Sequence, residues 1–165
     1  MLRTARVGSL LKRSYRILGQ ILHQKLQARG FTDLRPSFLE ILIYICENEG
    51  TAIKNIGRAC YLKKQTMTSH LNELERRGYI KRVTSTVDKR ESHVFLTIFG
   101  EKFKTSLQGV LEEIENSLHS VLGSVEFERL ELSLEHFLER TQEGLPETKI
   151  DVEGLIDQEE VSFWT

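Results

Sequence analysis

The chain has 165 residues, of which 39% are hydrophobic and 28% charged, with a net charge of −1. This is the composition of one ordinary globular domain, and it excludes repeat and low-complexity architectures; no run approaches the ~18 apolar residues of a membrane span. Only two cysteines are present, Cys46 and Cys60, which argues against a disulfide framework and fits a reducing cytoplasm. The start, Met-Leu-Arg-Thr-Ala-Arg-Val, leads into no uninterrupted apolar core, so a secretory signal is not expected.

In chain order, residues 5–29 carry Val7, Leu10, Leu11, Tyr15, Leu18, Ile21, Leu22 and Leu26 at helical spacing, and Gly30 closes that helix. Pro36 stands where a first-turn proline is tolerated. Residues 38–46 are apolar except for Glu40, so this segment is expected to be buried almost all round. Residues 51–61 read as a short helix. From Leu62 to Leu74 the apolar residues Met67, Leu71 and Leu74 fall at i, i+4, i+7, one stripe of a helix. Gln65, Ser69, Asn72 and Arg76 then lie on the opposite side, with Thr66 and Thr68 flanking them. That face is polar but nearly uncharged, with hydroxyl and amide groups of the sort that reach base edges.

Gly78, after Arg76 and Arg77, is a helix stop. Residues 79–84 and 94–97 are rich in β-branched and aromatic side chains and read as strands. The segment between them, 85–93, is too long for a tight turn and is expected to project. Two further helices follow. Residues 98–122 keep Leu107, Leu111, Ile114, Leu118 and Val121 in register, and residues 125–141 keep Phe127, Leu130, Leu134, Phe137 and Leu138, with Ser124 as N-cap. Gly144-Leu145-Pro146 ends the helical region, leaving residues 145–165 as an acidic tail.

A polar-faced helix beside a projecting basic loop is the layout of a winged helix-turn-helix. The expected fold is therefore mainly α with a small β-hairpin wing, one domain over residues 1–144. Its DNA-binding lobe is placed at about 34–100, with dimerisation helices at 5–29 and 98–141. Charge agrees with this reading. Residues 1–100 hold 18 Lys/Arg and 8 Asp/Glu, a balance of +10, whereas residues 101–165 hold 5 and 16, a balance of −11. The near-neutral average hides a dipolar chain, and the positive half suggests a polyanion partner. Its cations cluster at Lys63-Lys64, Arg76-Arg77, Lys81-Arg82 and Lys89-Arg90. The long terminal helices carry more apolar stripe than one small domain covers, and a two-fold homodimer is their most economical use.

The segment Leu62-x-x-Gln65-Thr66-Met67-Thr68, then Leu74-Glu75-Arg76-Arg77-Gly78-Tyr79-Ile80-x-Arg82, Asp88-Lys89-Arg90 and Val94-x-Leu96-Thr97-x-x-Gly100 resembles the MarR (multiple antibiotic resistance regulator) transcription factors. The resemblance covers about residues 5–141. It implies major-groove contacts from Gln65, Thr66, Thr68 and Ser69, and a minor-groove contact from Arg90 braced by Asp88. Lys63, Lys64, Asn72, Arg76 and Lys89 complete the expected DNA-binding set. It further implies an imperfectly palindromic operator and a homodimer, typically a repressor released by a small molecule. In such proteins a crevice between the dimer helices and the DNA-binding lobe often takes small aromatic acids; Tyr15, His23, Phe38, Tyr44 and His119 lie on the helices that would line it. The chain departs from common family usage at Tyr61 (often glycine), Ser69 (often arginine) and His70 (often leucine).

Other residues have plainer readings. Cys46 and Cys60 read as small core residues rather than sensors, since the peroxide-sensing relatives carry their cysteine in the first helix. The histidines lack metal-ligand spacing; His70 is expected to pack and His93 to be solvated. No nucleophile elbow, phosphate loop or carboxylate pair appears, so no enzyme activity and no cofactor are expected. The second function class is a dimeric winged-helix protein-interaction module without specific DNA affinity. The tail, with seven acids against Lys149 but also Leu155, Ile156, Phe163 and Trp164, is expected to dock on the dimer helices rather than compete for the DNA-binding face.

Overall fold

The computed structural model describes residues 2–86, 89 and 91–142; the acidic tail and the Gly144-Leu145-Pro146 stop lie outside the described residues. The chain is mostly helical with one small antiparallel sheet. Its elements are α1 (Arg3–Ala28), α2 (Pro36–Glu47), β1 (Thr51–Ala52), α3 (Ile53–Ala59), α4 (Lys64–Arg76), β2 (Ile80–Thr84), β3 (Ser92–Leu96), α5 (Ile98–Leu122) and α6 (Ser124–Gln142). The sheet order is β1-β3-β2, with Thr51 opposite Val94, and Ile80 opposite Leu96 through to Thr84 opposite Ser92.

Three expectations need correction. Thr51 and Ala52 do not begin the short helix; they pair with β3, because the extended backbone entering α3 finds the free edge of that strand. His93 is not solvated: the same pairing holds it half-buried, with Nδ1 2.8 Å from the Gly50 carbonyl oxygen. Ser124 opens α6 as its first residue, while Gly123 (φ 84°) ends α5.

The core gathers α2, α4, the sheet and one face of α5. Helix α2 is buried through Phe38, Leu39, Ile41, Leu42, Ile45 and Cys46, as its apolar run requires. Met67, Leu71 and Leu74 of α4 join it, and Phe103, Leu107 and Val110 of α5 close it from the far side. By contrast α1 buries only Leu26. It is fastened to α5 by polar groups: Lys25 Nζ lies 2.9 Å from Glu113, Arg29 donates to the same carboxylate, and Arg29 also donates to the Ser106 carbonyl at 2.7 Å. Among the described residues of α6 none is buried.

One junction orients α4. Gly78 (φ 81°) lets the chain reverse after Arg77, so that Gly78 N–H donates to Glu75 O and Tyr79 N–H to Leu74 O, both at 3.0 Å. The reversed chain then meets the start of α5. Thr97 N–H donates to the Tyr79 carbonyl at 3.1 Å, its hydroxyl donates to the Gly78 carbonyl, and its oxygen accepts from Gly100 N–H at 3.0 Å as the N-cap of α5. Tyr79 is fully buried, stacked among Phe31, Phe99 and Phe103, with its hydroxyl 2.8 Å from Asp33 Oδ1. A Cβ at Gly100 would run into the Tyr79 carbonyl oxygen.

Gly100→Ala should therefore destabilise the fold by about 2–3 kcal/mol, because the obstacle is backbone that cannot swing away; a denaturant midpoint within error of wild type would refute this close approach. Tyr61, in the turn between α3 and α4, adopts φ 50° and is half exposed, a backbone conformation that asparagine tolerates better. Tyr61→Asn should accordingly raise stability by roughly 0.5–1 kcal/mol, seen as a higher midpoint at unchanged denaturant slope.

Candidate nucleic-acid interface

Helix α4 is two-sided in the way its spacing predicts. Met67 is 2% exposed and Leu71 and Leu74 are 0% exposed, whereas Lys63, Lys64, Gln65, Thr68, Ser69, Asn72 and Arg76 are all exposed and Thr66 is half-buried. The hydroxyl of Thr68 donates to the Lys64 carbonyl at 2.8 Å. No acid lies in the first turn and no side chain caps it. The free amides at that end, with Lys63 and Lys64 beside them, make it favourable for an anion.

At its other end α4 is a charge network. Glu73 accepts from Arg76 Nε at 2.8 Å and from Arg77 Nε at 2.7 Å, and these bonds hold its carboxyl down at about 2. Glu75 accepts from Arg82, from the backbone N–H and from Nε, both at 3.0 Å, and is likewise lowered. Arg82 thus ties β2 to α4 and is not a free cation. Arg77 is half-buried over the Phe38 ring, 5.2 Å from its centroid, and also donates to the Asp33 carbonyl. Arg35 lies over the same ring at 5.9 Å and has no carboxylate partner among the described residues. His70 meets Phe38 edge-on at 5.0 Å, so it packs as expected; burial, and then the charge of Arg35, lower its pKa.

Arg35, Phe38, His70, Glu73, Arg76 and Arg77 border a cleft of about 430 Å³ that also includes Ser69 and Asn72. Sequence reasoning missed Arg35, because a lone cation ahead of Pro36 carries no periodic signal. Asp88 and Arg90, the wing pair, lie outside the described residues, and Lys89 is exposed. The wing base is closed by Ser85 N–H donating to Glu91 O at 2.8 Å and is tied to α3 by an ion pair between Lys54 and Glu91 at 2.6 Å.

A second cavity, of about 400 Å³, lies between α1, α2 and α5. Of the five residues expected to line an effector crevice, Tyr15 and His23 line this cavity. Phe38, Tyr44 and His119 do not. Phe38 turns to the α4 cleft, Tyr44 packs half-buried against the core, and His119 stacks edge-on against Phe127 of α6 at 5.1 Å. Both cysteines are buried, and burial pushes their thiols up to about 11 at Cys46 and about 12 at Cys60, so neither is a ready thiolate. Among the described residues no group of His, Cys, Asp and Glu is arranged to hold a metal, and no helix is long and apolar enough to cross a membrane.

Residues 32–91 match the family model described as MarR family. SarZ, a helix-turn-helix transcriptional regulator of Staphylococcus haemolyticus, is 29% identical over 82 residues, 50% of this chain and 56% of that protein. The chain spans about half the length of the curated relatives it matches. A MarR transcriptional regulator from Methanosarcina mazei superposes with a TM-score of 0.72 at 20% identity, covering 84% of this chain and 98% of that one. The Staphylococcus aureus MepR–DNA complex does so with a TM-score of 0.68 at 25% identity, covering 81% and 96%. The matched segment contains α2, α3, α4 and β2, the elements that build and present the polar face of α4; over residues 32–91 the chain matches the MarR-family model, on a winged helix-turn-helix fold.

Proposed function

We propose that the chain is a sequence-specific, double-stranded-DNA-binding transcriptional regulator, cytoplasmic and not an enzyme, that works as a homodimer and is released from its operator by a small molecule. The observation that carries this reading is the exposed face of α4. Gln65, Ser69 and Asn72 present amide and hydroxyl groups from a helix whose other side is wholly packed, so their positions are set before any partner arrives. The anion-favouring N-terminus of α4 and Arg35, which has no carboxylate partner among the described residues, flank that face and suit backbone phosphates. The family resemblance implies a contact from Arg90, braced by Asp88, in the neighbouring minor groove.

Dimerisation is supported by apolar side chains that a single chain leaves uncovered. Val7, Leu10 and Ile17 of α1, and Val125, Phe137 and Leu138 of α6, are all more than 40% exposed. A second copy about a two-fold axis would bury them. It would also set two α4 helices against half-sites about one turn, ~10 bp, apart, so the operator is an imperfect palindrome.

Selection of bound sites from genomic DNA followed by binding titrations tests this. Gln65→Ala should change which base is preferred at one position of each half-site, at a cost of about 1–3 kcal/mol. Arg35→Ala should weaken all sequences alike and make the slope of log affinity against log salt shallower by about 0.9 per half-site. Equal affinity for selected and random DNA would defeat the reading and favour a protein-interaction module. Glu73→Gln, which releases Arg76 and Arg77 from their shared carboxylate, should have the opposite signature to Arg35→Ala: tighter binding to random DNA and a steeper salt slope.

A further inference from the structure

The cavity between α1, α2 and α5 has a chemistry of its own. Its walls are Leu18, Leu22, Leu39, Ile43, Leu111 and Ile114. The residues from α1 are spaced i, i+3, i+4, i+7, i+8 from Tyr15, and those from α2 are spaced i, i+3, i+4, i+7 from Pro36, so each helix contributes one continuous stripe. Into this apolar lining come three polar side chains, Tyr15, His23 and Glu40. Glu40 is the one charged residue in the apolar run of α2 and stands exposed at the cavity edge. Among the described residues no Lys or Arg lines the cavity, and none forms an ion pair with Glu40. The surrounding apolar groups push the Glu40 carboxyl up, and its charge in turn adds to the rise at Tyr15.

We infer that this cavity takes a compact amphiphile carrying a single positive charge, an arylalkylamine rather than an aromatic acid. A carboxylate ligand would bring a second negative charge beside Glu40 against apolar walls, with no lysine or arginine among the described lining residues to offset either. An ammonium offsets the charge of Glu40 while its apolar body fills the walls, and Tyr15 supplies an aromatic surface that attracts cations. The occupant has a route to α4: Glu40 is two residues from Phe38, whose ring carries Arg35 and Arg77 and abuts His70. That regulatory consequence rests on the DNA-binding reading above; the ligand class does not.

The test uses the full chain and a matched set of probes: 4-phenylbutylamine, 4-phenylbutanol and 4-phenylbutyrate, titrated by calorimetry near neutral pH without DNA. The amine should bind most tightly, about tenfold or more tighter than the carboxylate, since like-charge juxtaposition is the costly case. Glu40→Gln should erase the preference for amine over alcohol. The inference is overturned if the carboxylate binds as well as the amine, or if the preference survives in Glu40→Gln. It is also overturned if no probe binds, as when a second copy of the chain fills the cavity. Operator affinity with and without the amine is then measured separately. Glu40-dependent binding that leaves DNA affinity untouched upholds the ligand class and removes its regulatory role.

Discussion

What α4 can present depends on how its end is tied to the start of α5. The tie is short and almost entirely backbone: Gly78 turns the chain, the Tyr79 carbonyl receives the Thr97 N–H, and the Thr97 side chain bonds both to the turn and to the Gly100 amide in the first turn of α5. Tyr79 fills the space beneath, its ring held by Phe31, Phe99 and Phe103 and its hydroxyl by Asp33. Desolvation, and then that bond to Asp33, raise the Tyr79 hydroxyl well above the usual tyrosine range, so it stays a donor at any physiological pH. Because α5 is 25 residues long, an angular change at this joint is carried along the helix that also backs the α1–α2 cavity. The reading face and the cavity therefore share one mechanical reference.

The electrostatics of α4 are less generous than its sequence suggests. Three of the arginines around it look available on paper, yet Arg76, Arg77 and Arg82 are each engaged by Glu73 or Glu75. Among the described residues, Lys64 at the N-terminal end and Arg35 across the cleft have no carboxylate partner. A surface built this way holds a sequence-independent anion weakly and leaves proportionately more of the interaction to amides and hydroxyls, which discriminate.

Most of the framework was legible in the chain because its signals are local. Gly78 marks a helix end by backbone chemistry, and Met67, Leu71 and Leu74 mark a buried face by period alone. What escaped was non-local. A two-residue strand such as β1 has no period to read, and it exists only because β3 offers an edge. The same pairing moved His93 from solvent to the Gly50 carbonyl. The cavity shows both outcomes: Tyr15 and His23 belong to its α1 stripe, but on α2 the stripe runs through Pro36, Leu39, Glu40 and Ile43, leaving Phe38 and Tyr44 to face elsewhere. Counting in steps of three and four from Pro36 would have found Glu40; choosing by aromatic character did not. His119, near the far end of α5, was placed by helix membership rather than by height along the axis.

The back-bond of Thr68 has a consequence for the grammar of recognition. A hydroxyl has one hydrogen, and here it is committed to the Lys64 carbonyl. What Thr68 turns outward is then a lone pair and a methyl group. An exocyclic amino group, as on adenine or cytosine, can complete that oxygen, and a thymine methyl can rest on that carbon. A guanine or thymine carbonyl finds nothing to bond unless the helix gives up its own bond, a loss of about 0.5–1.5 kcal/mol. A side chain that ordinarily speaks for either partner is, on this helix, restricted to one voice.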